Sequence, residues 1–193
     1  MNICIYGASS TELDSSYILA AEQLGEYLGK AGNTLVFGGG ANGLMGAVAR
    51  GFQKSGANII GIAPSFFNVD GVLFNACSQF FYTETMRQRK QLMEDKSDAF
   101  VAVPGGVGTF DEFFEILTLK QLGKHKKPII IYNINGYFDN ILKMLDFSVS
   151  ERFMNQKTIE LLKVCNNENE LLDYLNNYSS DENYDVLAAK SIK

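Results

Sequence analysis

The chain has 193 residues, 46% of them hydrophobic and 20% charged, which suits one globular domain with a substantial core and excludes a disordered protein. A net charge of −5 argues against a nucleic-acid backbone as partner, while a small anion can still be held by a few placed cations and backbone amides. Three scattered cysteines with no CxxC pair exclude a disulfide framework or zinc site, and with no signal-like or membrane-spanning stretch the expectation is a cytoplasmic protein without a membrane partner.

In chain order, "NICIY" (2–6) reads as a strand, followed by a helix from Asp14 to Lys30 with an apolar stripe at Ile18, Leu19, Ala21, Leu24 and Leu28. "TLVF" (34–37) is the next strand, then a glycine-rich turn and a helix from about Gly43 to Ser55. Further strands are expected at 58–63, 80–83, 99–103 and 128–132, with helices around 85–96, 109–122, 138–151 and 168–177. Strands that are apolar on both faces belong in a buried parallel sheet covered by helices. The expected fold is therefore α/β, Rossmann-like and doubly wound, with a mostly parallel sheet and right-handed crossovers. It forms a single domain over 1–177, and "YSSDENYDVLAAKSIK" (178–193) reads as a loose tail.

In such folds ligands bind beyond the carboxyl ends of the strands, and three segments fall there. "FGGGANGLMG" (37–46) contains Gly38, Gly40 and Gly43 in G-x-G-x-x-G spacing between a strand and a helix. Glycines admit a phosphate close to the backbone, although a dinucleotide site also needs an acid about 20 residues on, and "IIGIAPSFF" supplies none. The bland alternative is a tight turn packing helix on sheet.

"VAVPGGVGTFDEFFEI" (101–116) repeats the pattern with Gly105, Gly106 and Gly108 before a helix start. Here Thr109 and Glu112 have the spacing of a capping box, so the acid can serve the helix or serve chemistry. Phe110, Phe113, Phe114, Leu117 and Gln121 would form the helix's buried face, turning Asp111, Glu112 and Glu115 outward. "TETMRQRKQLM" (83–93) crowds Arg87, Arg89 and Lys90 into the first turns of a helix, where positive charge opposes the dipole. Either these residues form a solvated basic turn, or they pair with a phosphate or with the acids at 111–115. His125, the only histidine, sits in a polar turn and is expected to be exposed, which leaves no histidine for nucleophilic catalysis. "GASS" (7–10) offers Ser9 and backbone amides at the same sheet edge as a binding loop.

Together these segments resemble the LOG ("lonely guy") family of cytokinin-activating phosphoribohydrolases, whose members were once labelled lysine decarboxylases. The family's P-G-G-x-G-T-x-x-E motif is matched by Pro104, Gly105, Gly106, Gly108, Thr109 and Glu112. Its glycine segment is matched by residues 38–46, including Gly39, Gly40 and Gly43, and its M-x-x-R-K by Met86, Arg89 and Lys90. Departures are Gly7-Ala8 in the early loop, Arg87 where a histidine is common, and Leu119-Lys120 where a tryptophan is.

The resemblance implies hydrolysis of the N-glycosidic bond of a nucleoside 5′-monophosphate, with N6-prenylated AMP or AMP as substrate and no cofactor or metal. It implies Glu112 and Arg89 as catalytic residues. Ser9, Gly39, Gly40, Gly43, Met86, Lys90, Gly105, Gly106, Gly108, Thr109, Asp111 and Glu115 become candidates for substrate binding, and a homodimer is implied. Phe66, Phe67 and Phe74 could line a prenyl pocket or a subunit interface. Lys90, the sole lysine of the three motifs, has no cofactor-anchoring context, which speaks against decarboxylation. The rival reading is a non-catalytic nucleotide- or cofactor-binding protein of the same fold.

Overall fold

The computed structural model describes residues 1–180, so 181–193 of the expected tail lie outside the described residues. Seven strands run in one sheet: β1 (Asn2–Tyr6), β2 (Thr34–Phe37), β3 (Ile59–Pro64), β4 (Gln79–Thr83), β5 (Ala99–Ala102), β6 (Ile129–Tyr132) and β7 (Lys163–Cys165). The spatial order is β4-β3-β2-β1-β5-β6-β7, and every pairing is parallel. Around it lie α1 (Ser15–Lys30), α2 (Gly43–Ser55), α3 (Met86–Asp95), α4 (Val107–Gln121), α5 (Asp139–Ser150), α6 (Gln156–Ile159) and α7 (Glu168–Asn176). The sequence reading did not anticipate α6 or β7, both too short to show a period.

Alternation along the strands divides the core in two. Ile3, Ile5, Leu35, Phe37, Val101 and Ile130 point to the face covered by α1, α2 and α7. Cys4, Tyr6, Val36, Phe100, Ile129 and Ile131 point to the face covered by α3, α4 and α5. A strand buried on both faces has no polar side to show, which is why these segments read as continuous apolar runs.

The chain winds outward from β1 to β4, then α3 carries it back so that β5 lies on the other side of β1. This reversal between β1 and β5 opens a crevice at their carboxyl ends. The loops around it are cross-tied: Ala8 N–H donates to Pro104 O at 3.0 Å, and Ala8 O accepts from the amides of Leu44 and Met45 at 2.8 and 3.2 Å. Gly43 makes that tie feasible. Its φ is +59°, and a Cβ there would lie 2.4 Å from Ala8 O.

Two expectations need correction. His125 is buried, not exposed: Lys127 N–H donates to Nδ1 at 3.2 Å, which leaves Nε2 as the protonated nitrogen facing Ile116 O at 2.9 Å. Burial pushes its pKa down to about 4, so it is neutral at physiological pH and staples the turn after α4. The face of α4 is also rotated from the expected one. Thr109, Glu112, Phe113, Ile116, Leu117 and Lys120 are buried, whereas Phe110 and Phe114 sit at the rim. Two charged residues are inside because each has a partner: Glu112 pairs with Arg89, and Lys120 Nζ donates to Leu161 O and Tyr178 Oη at 2.9 and 3.1 Å. Tyr178, the first residue of the expected tail, is thereby anchored, and its own hydroxyl donates to Lys126 O at 2.8 Å.

Candidate active site

Helix α4 begins earlier than a Thr109 cap requires. Its N-cap is Gly106, and Val107 and Gly108 already have helical geometry. The first helical backbone bond runs from Phe110 N–H to Gly106 O at 3.1 Å, so the amides of Val107, Gly108 and Thr109 have no acceptor within the helix. The capping-box reading is therefore corrected: Thr109 is the third helical residue, and Glu112 lies too far along to reach the cap. A Cβ on Gly105 would fall 2.1 Å from Thr109 Oγ1, so that hydroxyl occupies the space the glycine leaves. A capping box does exist one helix earlier, where Thr85 and Gln88 cap α3 reciprocally.

Freed from capping, Glu112 turns to α3. Its Oε1 accepts from Arg89 Nη1 at 2.8 Å, and Arg89 Nε donates to Ile62 O at 3.2 Å. Both residues are nearly sealed, at 8% and 6% exposure. Burial raises the Glu112 pKa above its ordinary value, and the charge and hydrogen bond of Arg89 pull it back only in part. Room for the guanidinium comes from Gly38, where a Cβ would sit 1.8 Å from Arg89 Nη2. The glycine of the β2 loop thus positions the cation that positions the acid.

The pair forms one wall of a cleft of about 540 Å³ at the sheet's carboxyl edge. Of the residues singled out from sequence, Ser9, Gly40, Met86, Arg89, Gly106, Gly108, Thr109 and Glu112 line it. Gly39, Gly43 and Gly105 lie behind the lining, where they let the loops approach one another: Gly39 has a φ of +76° with the Phe80 ring against it. Lys90, Asp111 and Glu115 are also outside the lining. Lys90 Nζ pairs with Asp111 Oδ2 at 3.1 Å and with Glu115 Oε2 at 2.7 Å, joining α3 to α4 on the flank. Desolvation lowers the pKa of this ammonium, but its two acidic partners outweigh that and the net shift is upward, so Lys90 stays charged.

Sequence reasoning missed Asn42, Met45, Val72, Leu73 and Val107, which also line the cleft. Val72 and Leu73 reach it because their segment pairs with the first glycine loop: Ala41 N–H donates to Val72 O at 2.9 Å, and Gly40 bridges Leu73. No local pattern announces that pairing. Met45, Phe67, Val72, Leu73 and Met86 give the cleft apolar surface, while the α4 amides, Arg89 and Glu112 give it polar groups. Phe66 is exposed and Phe74 packs against Phe37 in the core, so of the three phenylalanines only Phe67 lines the cleft. Among the described residues no group of His, Cys, Asp and Glu could hold a metal ion, and no helix is long and apolar enough to cross a membrane.

Residues 45–175 match a family model described as "possible lysine decarboxylase". A cytokinin riboside 5′-monophosphate phosphoribohydrolase of Arabidopsis thaliana is 35% identical over 176 residues, covering 91% of this chain and 83% of that one. Another of Oryza sativa subsp. japonica is 36% identical over 176 residues, covering 91% and 73%. Among solved structures, the molybdenum cofactor binding protein of Rippkaea orientalis superimposes with a TM-score of 0.69 at 21% identity, over 91% of this chain and 94% of that one. At that identity the likeness concerns the fold alone. The curated relatives, close to this chain over most of its length, carry the stronger conclusion: the chain belongs to the LOG family of phosphoribohydrolases.

Proposed function

We propose that this protein hydrolyses the N-glycosidic bond of nucleoside 5′-monophosphates to a free base and ribose 5-phosphate. One observation carries the reading: a buried Arg89–Glu112 pair and the helix-start amides of α4, which have no acceptor within the helix, border the same cleft. The amides of Val107, Gly108 and Thr109, with the positive end of the α4 dipole and the Thr109 hydroxyl, suit a phosphate dianion. A phosphate there puts the ribose beside Glu112.

As the C1′–N bond breaks, its electron pair leaves with the base and positive charge grows on the ribose ring. The Glu112 carboxylate stabilises that charge at short range in a site screened from water. It then accepts a proton from the water whose oxygen attacks C1′, and that proton passes on to the departed base, which returns Glu112 to its ionised form. A carboxylate raised above its ordinary pKa is a better proton acceptor, and Arg89 keeps it ionised despite burial.

The apolar surface of the cleft, from Met45, Phe67, Val72, Leu73 and Met86, favours a base carrying an N6-prenyl group over plain adenine. Decarboxylation of lysine fits poorly. A Schiff-base lysine must lose its proton, and Lys90 is held charged by two carboxylates outside the cleft. Val107, which is 83% exposed, continues with Phe110 and Phe114 as an apolar stripe beside the cleft, and we assign it to a homodimer interface. Light scattering tests that assignment, expecting twice the chain mass. The free thiols of Cys4, Cys77 and Cys165 fit a reducing cytoplasm, which imaging of a tagged chain checks.

The test of function is release of free base from AMP and from N6-isopentenyl-AMP, followed by chromatography. The reading expects turnover of both, with higher kcat/KM for the prenylated substrate. Absence of base from every monophosphate would leave a nucleotide-binding role. Equal kcat/KM for the two substrates would remove the prenyl preference alone.

A further inference from the structure

Tyr137 lies in a turn that no step above uses. The turn joins β6 to α5 and is held firmly. Asn133 Nδ2 donates to Asp139 Oδ1 at 2.8 Å, and Asn133 Oδ1 accepts from Phe138 N–H at 2.8 Å. Between these ties Asn135 and Gly136 take φ values of +53° and +70°, a left-handed pair that the surrounding bonds must enforce at Asn135. Asn135 Nδ2 donates in turn to Ser16 Oγ at 3.0 Å, which docks the turn on α1. The Tyr137 ring is packed edge-on against Tyr17 and Phe138, with centroids 6.2 and 5.2 Å away. From this mount its hydroxyl donates to Gly105 O at 2.7 Å.

That carbonyl belongs to the same peptide unit as the Gly106 N–H. A trans peptide is planar, and its C=O and N–H point in opposite directions. Tyr137 is not part of the cleft lining, whereas Gly106 is. Holding the Gly105 oxygen toward Tyr137 therefore turns the Gly106 amide away from it, toward the phosphate end of the cleft. A Gly-Gly linkage is the most easily reoriented in any chain, since neither residue has a Cβ to restrict φ and ψ. The preceding unit is already fixed by Ala8 N–H on Pro104 O, and the following one by the first turn of α4. The Gly105–Gly106 peptide is the link that neither of these holds.

We infer that Tyr137 is a positioning residue: its hydroxyl fixes the Gly105–Gly106 peptide so that the Gly106 amide joins the α4 amides in holding the substrate's phosphate. The inference rests on the proposed phosphate seat. It predicts a selective effect, because only ligands with a phosphate use that amide.

The experiment is Tyr137→Phe, which keeps the ring and its edge contacts and removes only the hydroxyl. Binding of ribose 5-phosphate and of adenine is measured by calorimetry, and AMP turnover by base release. Affinity for ribose 5-phosphate should fall roughly fivefold, the scale of one neutral hydrogen bond. Adenine affinity should be unchanged, KM for AMP should rise by a similar factor, and kcat should stay within about twofold.

Unchanged ribose 5-phosphate affinity overturns the inference. So does a parallel loss for adenine, which marks general loosening, and so does a wild type that does not bind ribose 5-phosphate. A wild type that binds the sugar phosphate with the predicted Tyr137 dependence, yet releases no base, supports this inference and refutes the hydrolase reading instead.

Discussion

Replacing Glu112 by Gln separates chemistry from architecture. Glutamine has nearly the same volume and can still accept the hydrogen bond from Arg89, now 2.8 Å away, so the local packing persists. What goes is the charge. At about 4 Å from C1′ and an effective dielectric near 20, a carboxylate stabilises a developing unit positive charge by about 4 kcal/mol. At about 1.4 kcal/mol per decade this is roughly a thousandfold in kcat. KM should move little, because the α4 amides that hold the phosphate are untouched.

The same substitution leaves Arg89 buried without its counter-charge, which costs about 3 kcal/mol of folding stability even with the hydrogen bond retained. Single-turnover base release from N6-isopentenyl-AMP measures the first effect, and urea unfolding the second. In the wild type, the acid limb of kcat/KM should lie above pH 4.5, the ordinary glutamate value, because burial raises the Glu112 pKa. The limb should vanish in the variant. A folded Glu112→Gln protein with kcat within threefold of wild type would refute the assignment.

Three further outcomes follow from the same geometry. Gly38→Ala drives a methyl into Arg89 Nη2, whose guanidinium is pinned by Ile62 O and Glu112; kcat should fall at least tenfold in a protein that still folds, with a stability loss of about 2 kcal/mol. His125 has a native pKa near 4 against 6.5 unfolded, so between those values the unfolded chain binds the extra proton. Its contribution is therefore complete above pH 6.5 and is lost as pH falls toward 4; the difference between wild type and His125→Asn in urea should shrink by about 2 kcal/mol over that range, after allowance for solvent screening. Asp111→Asn leaves Lys90 paired with Glu115, so stability should change by less than about 1 kcal/mol and kcat by less than threefold, and a large loss in kcat would bring Asp111 into the chemistry.

The fold was legible because its signals are redundant. Five of the seven strands, those from β1 to β6 other than the partly exposed β4, are buried, apolar and followed by a helix or a glycine turn, so each segment repeats the same message. The glycine loops were legible for a related reason: a position that must lack a side chain can be written only one way. Legibility ended where a contact joins residues distant in sequence. Val72 and Leu73 enter the cleft through pairing with Gly40 and Ala41, and Tyr137 reaches Gly105 across 32 positions. Neither short β7 nor α6 contains enough residues to display a period.

Glu112 shows why local pattern alone left the acid's role open. Thr109 and Glu112 have capping-box spacing, and acids suit a helix start, so the local rules offer a complete explanation that needs no ligand. Moving the cap three residues earlier, from Thr109 to Gly106, removes it: Thr109 becomes the third helical residue, and Glu112, the sixth, no longer stands at the capping-box position. Gly106 opens α4 at the crevice with no side-chain cap. A cap made by a side chain would also fill the anion seat. Leaving the α4 start uncapped costs helix stability and leaves its first amides available to a ligand. The acid that seemed to complete the helix is free for chemistry because Arg89 is close enough to hold it, and Arg89 is that close because residue 38 has no side chain.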